Sequence, residues 1–132
     1  MFEFFTTVTE NEAKNFSPVT LAFIGDAVYT LYVRERLVLK ACYPTGKLQE
    51  LTSAGISARG QNAVLARILP ELTEEEAAIF KRGRNAKKPT RSKHATIAEY
   101  NNSTGFEAVL GYLYLTGQYK RIDALLAENY EN

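Results

Sequence analysis

The segment PVTLAFIGDAVYTLYV, residues 18–33, is the part of the sequence that says most about the fold. Its apolar side chains recur at steps of three and four residues, which is the period of an α-helix. Ser17 followed by Pro18 is typical of a helix start, because a serine side chain caps free backbone amides and proline fits the first helical position. We expect this helix to run to about residue 39, before the turn-forming residues 43–46 (YPTG).

Helical spacing also dominates the chain beyond this segment, and no strand-like alternation of useful length occurs. Reciprocal capping pairs, Thr73 with Glu76 and Thr96 with Glu99, mark two of the later helix starts. The further predicted helices cover about residues 45–54, 57–69, 74–82, 97–116 and 119–130. The sequence therefore predicts an all-α fold of five to seven helices in a single domain spanning residues 1–132.

The composition excludes several classes of protein. The 132 residues are 45% hydrophobic with a net charge of +1, and this length suits one core. No apolar run approaches the roughly 18 residues that cross a bilayer, and residues 1–12 lack the pattern of a secretory signal. The lone Cys42 cannot form an internal disulfide, which favours a cytoplasmic location, and we expect it to be buried by packing. The lone His94 excludes zinc sites of the Cys and His type.

Two carboxylates stand out because each is the only charge in a long apolar helix. Asp26 is the only charged residue in residues 18–33, and Glu107 is the only one in residues 101–118 (NNSTGFEAVLGYLYLTGQ). Helices that are apolar on most sides pack centrally, so each carboxylate is drawn toward low dielectric, where it needs a proton or a partner. A divalent cation keeps two such groups ionised, and Thr104, one turn before Glu107, is a candidate for orienting that carboxylate.

Each carboxylate taken alone also fits an ordinary structural role, as the partner of an arginine or as a solvent-facing side chain at a helix crossing. Their occurrence in the two most apolar helices favours a shared site. Gly25, Gly105 and Gly111 lie near them in the sequence and let another helix or a ligand come close. This pattern does not identify a substrate.

A basic segment lies between residues 81 and 94 and contains no acidic residue. The segment contains seven of the 16 Lys and Arg residues. The rest of the chain therefore has nine basic and 15 acidic residues. Because Gly83 and Pro89 lie inside the segment, we expect it to be a loop. Such a block suits phosphate contacts, although a solvated loop without a function fits equally well. Aromatic residues are not interleaved with the basic ones, which favours binding to the backbone of duplex RNA over stacking on single strands.

Four motifs resemble one known family. Residues 21–29 (LAFIGDAVY) resemble the signature helix of the ribonuclease III family, and residues 103–115 (STGFEAVLGYLYL) resemble its second catalytic helix. Residues 80–87 (FKRGRNAK) and 56–61 (ISARGQ) resemble the Mini-ribonuclease III branch, whose members lack a double-stranded-RNA-binding domain. The motifs lie within about residues 17–116, in the order and spacing of the family.

The resemblance implies an all-helical ribonuclease III endonuclease domain that acts as a homodimer. It also implies an Mg²⁺-dependent endoribonuclease that cuts both strands of double-stranded RNA, with Mn²⁺ as a substitute ion. The implied substrate is precursor 23S ribosomal RNA in the cytoplasm, with a ribosomal protein that presents the RNA as a further partner. Asp26 falls on the catalytic aspartate of the family and Glu107 on its metal-binding glutamate, so both are implied as catalytic residues and metal ligands.

The residues expected to bind RNA lie mostly in the basic segment, where arginine forks and lysines suit phosphate groups. They are Arg82, Arg84, Asn85, Lys87, Lys88 and, outside the segment, Arg59. We expect His94 to contact backbone or phosphate rather than to act as a catalyst. Phe23, Tyr29 and Tyr32, which one core face does not accommodate together, are candidates for the dimer interface.

The sequence departs from full-length ribonuclease III enzymes at three acidic positions. Ala22 and Val19 stand one and two turns before Asp26 where those enzymes have acids, and Thr104 replaces an aspartate. Two protein carboxylates then remain for metal, and we expect water and RNA phosphate to complete the shell of one or two ions. The departures leave two alternatives: a ribonuclease III-like dimer that binds duplex or ribosomal RNA without cutting it, and a structural helical dimer stabilised by a cation.

Overall fold

A computed structural model describes residues 6–88 and 95–127, and most of these residues are helical. The elements are α1 Glu10–Lys14, α2 Pro18–Lys40, α3 Thr45–Ile56, α4 Ala58–Ile68, α5 Glu74–Asn85, α6 Ile97–Leu115 and α7 Tyr119–Leu126, with a 3₁₀ turn at Leu69–Glu71 after α4. No strand occurs in the described ranges, so the prediction of an all-α fold with five to seven helices is confirmed.

Helix starts follow the capping signals in the sequence. The Ser17 side chain caps α2, and the two predicted capping boxes begin α5 and α6. Helix α1 was not predicted from the sequence, although Thr9 and Glu12 form the same kind of capping box. This five-residue helix is tied to the core because the Tyr112 hydroxyl on α6 donates to the Glu10 carboxylate at 3.1 Å.

The basic segment begins inside a helix rather than in a loop. We expected α5 to end at about residue 82, but it continues to Asn85, so the prediction of a loop is wrong for residues 83–85. Gly83 does not end the helix because it packs on α6, where a Cβ atom would lie 2.8 Å from the Gly105 Cα atom. Residues 89–94, which include His94, lie outside the described residues.

Helix α6 forms the centre of the fold. Ten of its residues, between Ser103 and Leu113, are buried, and α2 and α5 pack against it. The rings of Tyr29 and Phe106 meet edge to face with their centroids 5.0 Å apart. Each large apolar side chain buried in this way contributes about 1.5–3 kcal/mol to folding. Tyr29 and Tyr32 belong to this core, which leaves Phe23 as the remaining one of the three candidates for the dimer interface.

The backbones of α2 and α6 touch at two glycines. A Cβ atom on Gly25 would lie 1.7 Å from the Glu107 carbonyl oxygen, and one on Gly111 would lie 1.9 Å from the Leu21 carbonyl oxygen. Neither position has room for a side chain, so the two helices cross with backbone against backbone. The crossing brings Asp26, the residue after Gly25, next to Glu107.

One side of α2 leaves large apolar side chains in solvent. The exposed fractions are 82% for Phe23, 67% for Leu31 and 63% for Val38. These residues recur at steps of eight and seven, so they lie along one side of the helix. We call this surface, made of Phe23, Leu31 and Val38, the α2 apolar stripe.

Two expectations from composition have different outcomes. Cys42, which we expected to be packed in the core, is exposed in the short connection between α2 and α3. That prediction was wrong because the chain leaves the core at the end of α2. Among the helices of the described ranges, none combines the length and apolarity that a membrane span requires.

Candidate active site

Asp26 and Glu107 meet where α2 crosses α6. They lie far apart in the sequence but come close in the fold, because Gly25, the residue before Asp26, packs against the Glu107 backbone. The charge and hydrogen bonding of Asp26 help to raise the pKa of Glu107. Glu107 is half-buried, whereas Asp26 is exposed at the edge of the crossing. The expectation that both carboxylates are drawn into low dielectric is therefore correct for Glu107 and wrong for Asp26. The two acids form a pair that can act on a ligand approaching from the Asp26 side.

Burial and the neighbouring charge change the acidity of Glu107. Burial raises the pKa of Glu107 to about 8, the hydrogen bond from Gln61 opposes this rise, and the negative charge of Asp26 adds to it. At neutral pH the pair therefore holds a proton unless a cation replaces it. A carboxyl group whose pKa is strongly raised beside a second carboxyl group is typical of functional sites, because core packing alone gains nothing from neighbouring like charges.

Gln61, which the sequence analysis did not single out, is the third polar group of the site. Its residue exposure is 3%, and its Nε2 atom donates to Glu107 Oε2 and to the Ile56 carbonyl oxygen, each at 3.1 Å. Its Oε1 atom is buried and has no hydrogen-bond partner within the described residues. A signal was present in the sequence, because Gln61 lies on the same stripe of α4 as the buried Leu65 and Ile68. We call Asp26, Glu107 and Gln61 the acid centre.

The residue after Gln61 ties α4 to α6. The Nδ2 atom of Asn62 donates to the carbonyl oxygens of Ala58 at 2.8 Å and Glu99 at 3.0 Å. Its Oδ1 atom accepts a hydrogen bond from Asn102 at 3.2 Å. These bonds join the two helices through groups other than the carboxyl pair.

Two of the residues expected to bind RNA are engaged in the fold. Arg82 donates to the carbonyl oxygens of Lys14 at 3.2 Å and Phe16 at 3.3 Å, which joins α5 to the connection between α1 and α2. Lys88 donates to the Arg84 carbonyl oxygen at 3.0 Å and so satisfies the carboxyl end of α5. Burial lowers the pKa of the Lys88 ammonium group.

The other four residues expected to bind RNA reach the surface. The Arg84 guanidinium lies over the Phe80 ring, 5.6 Å from its centroid, and its Nε atom donates to Asn85 Oδ1 at 3.2 Å. Asn85, Lys87 and Arg59 are exposed. Their polar ends therefore lie where a phosphate can reach them.

Comparison with known proteins identifies the family. Residues 19–118, which include the whole acid centre, match the Ribonuclease III domain. A Mini-ribonuclease 3 from Streptococcus pneumoniae is 43% identical over 111 residues, which cover 83% of this chain and 87% of the relative. The chain belongs to the Mini-ribonuclease 3 branch of the ribonuclease III family. It is an endoribonuclease, and the resemblance found in the sequence is confirmed.

Further members of the branch and a solved structure agree with this assignment. A Mini-ribonuclease 3 from a Thermoanaerobacter species is 42% identical over 119 residues, covering 90% of this chain and 84% of the relative. The X-ray crystal structure of a Fusobacterium nucleatum protein superimposes with a TM-score of 0.82 at 30% identity, over 89% of this chain and 96% of that one. The ribonuclease III fold therefore extends over most of the chain.

The structure shows what replaces the three acids of full-length family members. The Thr104 hydroxyl donates to the Tyr100 carbonyl oxygen of its own helix at 3.1 Å, so it does not orient Glu107 as we expected. Ala22 is buried and Val19 is half-buried on α2. In residues 6–88 and 95–127, no three His, Cys, Asp or Glu side chains come together as a metal site.

Proposed function

We propose that this endoribonuclease cleaves double-stranded RNA with Mg²⁺ bound by Asp26 and Glu107. The observation that carries the proposal is the close crossing of α2 and α6 at Gly25 and Gly111, which brings the Asp26 and Glu107 carboxyl groups together. Adjacent carboxylates supply the oxygen ligands that a hard cation needs. Both residues are proposed as catalytic residues and as metal ligands. Mn²⁺, which accepts the same ligands, is the proposed substitute.

The groups at the acid centre suit a hydrated cation. Mg²⁺ prefers oxygen ligands and retains several waters, so two carboxylates from the protein are sufficient. The buried Oε1 atom of Gln61 lacks a partner in the described part of the chain, so it would be able to accept a hydrogen bond from a group that entered the site with the cation. Water and RNA phosphate complete the shell of one ion or two in this proposal.

Asp26 and Glu107 have different positions and therefore different roles in the proposed reaction. When bound, the cation supplies a Lewis acid that stabilises negative charge at the scissile phosphate and lowers the pKa of a water. Asp26 lies at the surface, where a phosphate can approach, and Glu107 lies beneath it at the helix crossing. Glu107 must lose its proton before it acts as a ligand, because metal ions bind the ionised carboxylate.

We assign the contacts with RNA phosphates to the basic residues near the end of α5 and to one residue at the start of α4. The exposed or half-exposed ones are Arg84, Asn85, Lys87 and Arg59. Such donors position a duplex through its backbone without selecting a sequence. Arg82 and Lys88 belong to the same proposal, and their bonds to backbone carbonyls mean that their removal also disturbs the fold.

A homodimer is part of the proposal, because cutting both strands of a duplex calls for two sites related by a twofold axis. The α2 apolar stripe is the proposed contact surface, since a row of exposed apolar side chains is a feature of protein interfaces. Asp26 lies on the same helix, three residues after Phe23, so contact surface and acid centre are adjacent.

The finer biological assignments rest on the family resemblance. Maturation of precursor 23S ribosomal RNA is the proposed process, a ribosomal protein that presents the RNA is the proposed partner, and the cytoplasm is the proposed location. A single domain over residues 1–132 is proposed on the same basis. The choice of substrate is tested by comparing the cleavage rate of a 23S precursor stem with that of an unrelated duplex of equal length.

The test of the core proposal is cleavage of duplex RNA by the wild type, Asp26→Asn and Glu107→Gln, with Mg²⁺ or with EDTA. We expect EDTA to stop cleavage, and each variant to be slower by at least about 10²-fold, the usual scale for losing an electrostatic group in a site. Glu50→Gln on α3 removes an exposed carboxylate elsewhere and is expected to cleave normally. Melting temperature and duplex binding show that each variant is folded.

Each other outcome has a definite meaning. A folded Asp26→Asn variant that cleaves at the wild-type rate would contradict the assignment of the acid centre. Duplex RNA that is bound but stays intact with Mg²⁺ would favour the second candidate, a non-cleaving RNA-binding dimer, which the missing acids at Ala22 and Thr104 support. Melting that responds to a chelator without any RNA affinity would favour a structural dimer.

A further inference from the structure

The corner between α3 and α4 fixes the start of α4. The Ser57 hydroxyl accepts a hydrogen bond from the Gly60 amide at 3.0 Å and donates to the Ala54 carbonyl oxygen at 2.9 Å. Gly60 lets the first turn of α4 lie on the end of α3, because a Cβ atom there would be 2.4 Å from the Ala54 oxygen and 2.5 Å from the Gly55 oxygen. The position of Gln61, in the first turn of α4, is therefore fixed by contacts between α3 and α4.

Two acceptors orient the Gln61 amide. One is the Ile56 carbonyl oxygen and the other is Glu107 Oε2, so the amide must present its NH₂ group to both. The amide is thereby anchored to backbone through one hydrogen and to the Glu107 carboxylate through the other. Its Oε1 atom, on the same carbon, is buried without a partner among the described residues.

We propose that Gln61 is a positioning residue that holds the Glu107 carboxylate in the orientation that binds the cation. The inference rests on the cation site proposed above. Groups that hydrogen-bond to metal ligands fix the orientation of those ligands, and their loss weakens metal binding about 10–100-fold. A neutral amide suits this role, because a lysine or arginine in its place would compete with the cation for the carboxylate.

Binding of Mn²⁺ to the full chain without RNA tests the proposal, with free Mn²⁺ measured by electron paramagnetic resonance. Gln61→Met keeps a similar volume and removes the donor, and we expect the Kd for Mn²⁺ to rise about 10–100-fold. The Mg²⁺ concentration for half-maximal cleavage is expected to rise by a similar factor, while the rate at saturating Mg²⁺ falls much less.

Asn62→Ala is the matched control. It removes a half-buried amide from the same helix, one that bonds to α6 through the Glu99 carbonyl oxygen rather than through Glu107. We expect this variant to melt at a lower temperature with its Mn²⁺ affinity nearly unchanged. If Gln61→Met does not fold, Gln61→Asn takes its place, because the shorter amide stays polar but does not reach Glu107.

The results separate this proposal from the cation site on which it rests. Unchanged Mn²⁺ affinity in folded Gln61→Met or Gln61→Asn would overturn the positioning role, and so would an equal loss of affinity in Asn62→Ala. Asp26→Asn reports on the cation site itself. If that variant and the wild type bind Mn²⁺ alike, the site is wrong and the positioning role is lost with it.

Discussion

Glu107 binds a proton far more tightly than a carboxyl group in water does. Burial, with the Asp26 charge nearby, raises its pKa from 4.5 to about 8. Between these two pH values the folded protein keeps a proton that the unfolded chain has released. Folding therefore takes up a proton in this range, and the free energy of unfolding falls as the pH rises.

We predict that Glu107→Gln reduces this pH dependence. Between about pH 5 and about pH 8 the wild type is expected to lose roughly 1–3 kcal/mol more unfolding free energy than the variant, since each pKa unit corresponds to about 1.4 kcal/mol. Urea unfolding in EDTA at a series of pH values measures the difference. Parallel curves for the two proteins would show that Glu107 is not a buried acid.

At the residue scale, the sequence predicts the carboxyl pair but not its amide neighbour. Asp26 and Glu107 could be recognised because each is a lone charge in an apolar helix. The spacing of Gln61 with Leu65 and Ile68 predicts that it is buried but not that it belongs to the site, because a buried glutamine bonds as readily to backbone as to a functional group. Only the packing of α4 against α6 shows that its donor reaches Glu107.

The crossing of α2 and α6 is the element-scale feature on which the acid centre depends. Gly25 and Gly111 remove the side chains that would hold the helices apart. The separation of Asp26 and Glu107 is therefore set by contact between backbones, and it does not depend on a loop. A side chain at either glycine must push the helices apart and move the two acids.

We predict that Gly111→Ala lowers both stability and cleavage. Its Cβ atom would meet the Leu21 carbonyl oxygen at 1.9 Å, and overpacking of this kind costs about 1–3 kcal/mol. Cleavage is expected to fall at least about tenfold, because small displacements of catalytic groups are costly. Gly46→Ala is the control, since nothing lies within 4 Å of its Cβ position. Thermal melting and cleavage rates measure both effects, and an equal response in the two variants would contradict the role of the crossing.

Helix starts could be predicted from the sequence more reliably than helix ends. Capping is local, so Ser17 and Thr73 reveal a start within a few residues of sequence. The end of α5 depends on a distant contact, because Gly83 is stabilised inside the helix by its packing on Gly105. The exposure of Cys42 likewise follows from where α2 leaves the core, which no local pattern shows.

At the scale of the whole molecule, α2 serves three surfaces. One side contacts α6, one position carries Asp26, and the α2 apolar stripe faces solvent. The sequence shows that the helix is apolar all round, but it does not divide core from surface. The structure makes this division: Tyr29 and Tyr32 are buried within the chain, and Phe23 is not.

We predict that Phe23→Asp prevents the proposed homodimer. A charge in the middle of an apolar contact is left without a partner on association, so the dimer is expected to dissociate at micromolar concentration while the monomer stays folded. Ile97→Asp at the start of α6 is the matched control, because Ile97 is also an exposed apolar side chain, at 59%. Sedimentation velocity measures the change. A dimer that persists in Phe23→Asp but not in Ile97→Asp would assign the interface to another face.

The backbone contact between α2 and α6 also determines how the protein responds to warming. This contact lies in the middle of the core, so local opening at the surface of the described residues leaves it untouched. The pairing of Asp26 with Glu107 is then lost only when the two central helices part, which is the collapse of the whole fold. We therefore expect heating to give only two kinds of molecule, folded ones that cleave RNA and unfolded ones that do not. A folded form without cleavage activity is not expected.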